Sequence, residues 1–142
     1  MSDFWPSLRF FKRTEGFGNP DKMNEAFMRK LDDFRAYSGY PFKILEGYAS
    51  SGHAPNSYHY QGLAVDMRLV DSKGEALGVD EHLVLAMRAP FGGIGIYTWS
   101  PMGPFLHFDD RPFHDRRRIW VCRDKGKYEP FSAEFLHSAL KS

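Results

Sequence analysis

The sequence predicts an α+β fold, with a largely antiparallel sheet of about four strands flanked by helices. Two observations predict the class. Stretches of period-two alternation and stretches of helical periodicity both occur along the chain. They are mixed without the strict strand–helix–strand order of a parallel sheet. A third observation sets the organisation. At 142 residues the chain has the length of one domain, here 1–142, and can bury about two-thirds of its surface.

The elements follow in order. Residues 1–18 are aromatic and irregular, with Phe4, Trp5, Phe10, Phe11 and Phe17 placed to wrap over a core. Asn19-Pro20-Asp21 reads as a helix start: a capping side chain, a preorganised proline and an acid at the positive end of the dipole. Met23, Phe27, Leu31 and Phe34 continue at helical spacing to about Ser38, where Gly39 stops the helix. Pro41 to Tyr48 reads as a strand, and residues 49–58, rich in Ser, Gly, Pro and Asn, as a loop. Leu63 to Leu69 reads as a second strand, with Ala64, Asp66 and Arg68 on the face opposite Leu63, Val65 and Met67.

Asp71 to Gly74 is a turn, and Asp80 to Ala89 a helix with Leu83, Val84 and Met87 inward. Ile94 to Tyr97 and Phe105 to Asp109 complete the strands, joined by a loop from Trp99 to Pro104. Beyond Arg111 the chain turns basic, with a short hairpin around Lys125-Gly126. Ser132 caps a last helix whose apolar side is Phe135, Leu136, Ala139 and Leu140.

Composition excludes several classes. A formal charge of +1 gives no bulk attraction to nucleic acid or membrane; Arg116 to Arg118 is a solvated basic face. No apolar run approaches the ~20 residues of a membrane span. The N-terminus has neither the basic nor the apolar region of an export signal, so synthesis without its own signal is expected. The single Cys122 excludes an internal disulfide and a cysteine-based zinc site.

The chemistry concentrates in two stretches, Ser57-Tyr58-His59-Tyr60-Gln61-Gly62-Leu63-Ala64-Val65-Asp66 and Phe105-Leu106-His107-Phe108-Asp109. Two imidazoles and one carboxylate are a ligand set of a catalytic zinc that keeps one position open. Strands of one sheet can bring such side chains together, and Ser57 can hold the loop around His59. A lone His–Asp pair beside a strand is more often surface polarity, and His82, His114 and His137 read as structural. The same residue types also allow an iron triad of His107, Asp109 and His137.

The pattern Ser57-x-His59-x-x-Gly62-x-Ala64-x-Asp66, followed by Gly93-x-Gly95-x-Tyr97 and Phe105-x-His107-x-Asp109, resembles the zinc D-Ala-D-Ala carboxypeptidases and related murein peptidases. The run Arg116 to Trp120 is similar to a segment after the last ligand in that family. The resemblance spans about residues 40–120. It implies zinc bound by His59, Asp66 and His107, and peptidoglycan peptides as substrate. The stretch Glu46-Gly47-Tyr48 through His53 to Asp66 is also similar to hedgehog signalling domains, which share this peptidase-like fold and carry a histidine near the metal at the spacing of His53.

Two positions depart from the family pattern. Ala49 stands where many members have an arginine for a substrate carboxylate. Met102, Gly103 and Pro104 stand where an acid–base residue precedes the last ligand. His53, then Asp109, are the remaining candidates for proton transfer. Asp109 points to the side of His107 and has three readings: base, partner of His107, or salt bridge to Arg111 or Arg118. The expectation is a zinc metallopeptidase acting on peptidoglycan stem peptides, reaching the wall by phage-type release or virion delivery. The alternative is a zinc-binding module that has lost catalysis.

Overall fold

The computed structural model describes residues 3–112 and 116–141, so His114 and Asp115 lie outside the described residues. Asn19 caps only a short 3-10 turn, Pro20–Lys22, accepting from the Asp21 N–H. The backbone is extended again at Met23, whose side chain is buried. The first long helix, α1 (Glu25–Ser38), starts afresh from Asn24, which accepts the Phe27 N–H at 2.9 Å. The expected helix start therefore moves downstream, because the first capping signal starts a turn of its own. Gly39 closes α1 in the left-handed region, at φ 77°.

The strands are β1 (Phe42–Glu46), β2 (Ala64–Leu69), β3 (Gly93–Tyr97), β4 (Phe105–Asp109), β5 (Arg118–Asp124) and β6 (Lys127–Pro130). They form one sheet in the order β1-β2-β4-β3-β5-β6. All pairs are antiparallel except β3 with β5. The sheet thus has six strands rather than about four. The extra two come from the basic segment and its hairpin, where arginines and lysines mask the alternation of Ile119 and Val121.

Strand alternation gives the sheet two unlike faces. One carries Phe42, Ile44, Val65, Met67, Ile94, Ile96, Leu106, Phe108 and Val121, all buried. The helices pack there. Phe34 of α1 meets Phe42, Phe91 and Phe108 at ring-centroid distances of 6.1, 6.0 and 5.7 Å. Phe135 of α3 (Ala133–Lys141) joins the same core, with Ser132 accepting the Phe135 N–H. The N-terminal segment closes the edge through Trp5, Phe11 and Phe17.

Helix α2 (Val79–Arg88) buries His82, Leu83, Leu85 and Ala86. Val84 and Met87, expected inward, are exposed; the stripe is rotated because His82 occupies an inward position. Its Nε2 accepts the Leu69 N–H at 2.9 Å and its Nδ1 donates to the Gly78 carbonyl at 2.8 Å. Burial holds this imidazole neutral, its pKa pushed down to about 4. Among the described residues no helix is long and apolar enough to cross a membrane.

The opposite face of the sheet carries Asp66, Arg68, Phe105, His107, Asp109, Tyr97 and Trp120. Loops rather than helices cover it. Arg68 holds the 99–104 loop through the carbonyls of Pro104 and Gly103, each at 3.1 Å.

Candidate metal centre

Asp66 and His107 are direct partners across β2 and β4. Strand pairing alone therefore puts a carboxylate beside an imidazole on one face. His59 comes from a short 3-10 turn, Tyr58–Gln61, which Ser57 opens by accepting the His59 N–H at 3.2 Å. Gly62 ends that turn at φ 69°, and a Cβ there would overlap the Lys22 backbone. The turn is thereby seated against the 20–24 segment and delivers His59 to Asp66.

Asp66 Oδ1 lies 3.0 Å from His107 Nδ1 and 3.4 Å from His59 Nε2. A tetrahedral metal with bonds of about 2.1 Å has ligand–ligand edges of about 3.4 Å. The spacing fits such an ion, and these three residues can hold one. Both imidazoles are oriented for it. His59 Nδ1 donates to the Gly47 carbonyl at 2.7 Å, since that oxygen only accepts, so Nε2 is the nitrogen left facing Asp66 and a metal. His107 Nε2 lies 2.7 Å from Asp109 Oδ2, leaving Nδ1 toward Asp66.

Asp109 is fully buried. Its oxygens also receive Arg111 Nε at 2.8 Å and Nη2 at 2.7 Å, with the Arg111 N–H at 3.1 Å. The ion pair to Arg111 and the hydrogen bond to His107 therefore coexist. Burial alone would raise the Asp109 pKa, but Arg111 and then His107 hold it well below the usual carboxylate range. Asp66 behaves likewise: burial opposes its charge, and hydrogen bonds from His107 and His59 outweigh it. Burial would lower His107, but Asp109 and Asp66 reverse this and hold it up at about 9. Without metal, His107 is thus an imidazolium between two carboxylates.

The glycines of β3 make this layer possible. A Cβ at Gly93 would overlap the Asp109 carboxylate, and one at Gly95 would overlap the Trp120 and Tyr97 rings. Trp120 then packs at 5.2 Å from the His107 ring and donates Nε1–H to Tyr97 Oη at 3.0 Å.

His53 lies beside the triad, its ring stacked on His59 at 4.3 Å. Its backbone is fixed by Tyr60, whose hydroxyl accepts the His53 N–H at 2.8 Å and donates to the His53 carbonyl at 2.7 Å. Its Nε2 contacts Glu46 Oε1. Glu46, His53 and His59 form a second group that can hold a metal. His59 has only Nε2 free, so the two groups compete for it rather than forming a two-metal centre.

Glu46 escaped the sequence reading for a physical reason. In a regular strand Glu46 shares the core face of Phe42 and Ile44. A bulge between Ile44 and Glu46 resets the alternation and pairs Glu46 with Asp66. Arg111 was legible only as one of two ion-pair candidates for Asp109. His137 belongs to neither metal-capable group and is exposed on α3. Tyr97 lines the cleft, whereas Trp99 packs near Phe105 and Lys125. The triad opens into a cleft of about 650 Å³, bounded by the 53–58 loop on one side and by Arg118, Trp120 and Tyr128 on the other. A scan against models of protein families and a search of curated proteins both return no match.

Proposed function

We propose that this chain is a zinc-dependent peptidase of the D-Ala-D-Ala carboxypeptidase and murein peptidase type, hydrolysing peptide bonds in peptidoglycan stem peptides on a hedgehog-like peptidase fold. The observation that carries the reading is the convergence of His59 Nε2, Asp66 Oδ1 and His107 Nδ1 at the floor of an open cleft, with the far nitrogen of each imidazole already hydrogen-bonded. Zinc held there supplies a polarised carbonyl and a water acidified toward neutral pH.

The protein's own groups have separate tasks in this reading. Asp109 orients His107, since both its oxygens are engaged. His53 moves the proton from water to the leaving amine, held by Glu46 and by Tyr60. The loop bearing Met102 does not supply that group: Met102 is 72% exposed and outside the cleft lining. Zinc-loaded protein is expected to release new termini from purified murein, and both chelation and His107→Ala to abolish this. Undiminished digestion by His107→Ala overturns the reading.

The exposed Met102 and the alanine at position 49 favour a second reading, a cell-wall or protein-binding zinc module without catalysis. Zinc-loaded protein that binds murein but leaves it uncut would select it.

A further inference from the structure

Two arginines among the described residues line the cleft, and their circumstances differ. Arg111 is committed: Nε and Nη2 both bind Asp109, and its guanidinium lies between the Tyr58 and Trp120 rings at 5.0 and 5.2 Å. Arg118 has no carboxylate within ion-pairing distance among the described residues and is exposed. Its direction is nevertheless fixed. Arg118 pairs in parallel with Gly93 and Trp120 with Gly95, so both side chains rise on the face that carries His107. Gly93 offers no side chain that would screen it from the cleft.

An arginine with an open planar fork, aimed into a cleft whose other arginine is occupied, suits a carboxylate. Resting on the peptidase reading above, we infer that Arg118 anchors a free C-terminal carboxylate of the substrate on the β5 side of the triad. Gly93 pairs with both Arg118 and Asp109, which places Arg118 two strand spacings, about 10 Å, from the end of the ligand strand. At ~3.5 Å per extended residue, that separation spans about three residues, so the carboxylate lies within about three residues of the bond held at the triad. The chain would therefore trim peptide ends rather than cut within long peptides.

The test titrates the full chain, zinc-loaded and after chelation, with N-acetyl-lysyl-D-alanyl-D-alanine as free acid and as C-terminal amide. Calorimetry reads affinity, and the chelated arm reads it without turnover. The acid is expected to bind about tenfold or more tightly than the amide, a charge-assisted pair's worth of affinity. Arg118→Ala should erase that difference and Arg118→Lys restore part of it, both with unchanged zinc content. Equal binding of acid and amide, or an undiminished preference in Arg118→Ala, overturns the inference. An amide carrying a glutamate side chain that binds as the acid does, in an Arg118-dependent way, overturns its assignment to the terminus. Zinc-loaded protein that keeps the acid preference but cleaves nothing removes the peptidase reading and leaves the anchor standing.

Discussion

Asp109 Oδ2 meets His107 Nε2 at 2.7 Å while Arg111 clamps the same carboxylate from its other side. The imidazole is thereby held with Nδ1 toward Asp66. Asp109→Asn is expected to weaken zinc binding about tenfold to a hundredfold, as removal of a ligand's hydrogen-bond partner does. Competition with a chromophoric chelator measures it. Affinity equal to wild type would separate Asp109 from the metal site.

Metal must displace the His107 proton. Because this imidazole is held up at about 9 in the metal-free protein, apparent zinc affinity should rise about tenfold per pH unit up to that value, then level. Stability of the metal-free form runs the other way. A folded pKa above the unfolded ~6.5 gives stability that is full below pH ~6.5 and lost as pH rises through about 9. The depressed carboxyls of Asp66 and Asp109 lose theirs as pH falls below ~4. Thermal unfolding with and without chelator across this range checks both signs.

Gly93→Ala places a methyl group in the Asp109 carboxylate. Overpacking of this kind costs about 1–3 kcal/mol, and the displaced Asp109 should weaken zinc binding as well. Gly39→Ala is the contrast, since no atom lies within 4 Å of the added Cβ. Its left-handed φ of 77° strains the helix end alone. Denaturant melts and zinc titration on both variants should separate the two effects.

His53 stacks on His59 without belonging to the His59–Asp66–His107 group. His53→Ala is therefore expected to leave zinc content intact and, on the proposed peptidase reading, to lower kcat about 10²–10⁴-fold. Glu46→Gln should lower it less, since Tyr60 still holds the His53 backbone. Wild-type turnover in His53→Ala would move proton transfer elsewhere.

Much of this arrangement was legible in the chain. The apolar period of α1, the alternation of β2 and the glycine at its proper place after Ser38 depend on near neighbours. So does the pairing of Ser57 with His59, two residues apart. The helix start was misread because two asparagines, Asn19 and Asn24, both cap, and only packing of Met23 decides which one opens the long helix. The fifth and sixth strands are the hairpin expected around Lys125-Gly126; that it joins the sheet was not legible, because β5 meets β3 by a parallel, non-local pairing.

By itself the sequence determined which residue types were available for a metal and where they lie: His59 in the loop that Ser57 holds, Asp66 and His107 at alternating positions of two strands. Tertiary structure alone decided their partners. The register of β2 against β4 sets Asp66 opposite His107, and the bare glycines of β3 admit Asp109 and Trp120. The bulge in β1 turns Glu46 from the core face to the face of Asp66, where it meets His53. A side chain's face follows local alternation until the backbone slips by one residue, and that slip is fixed by pairing with a strand distant in the chain.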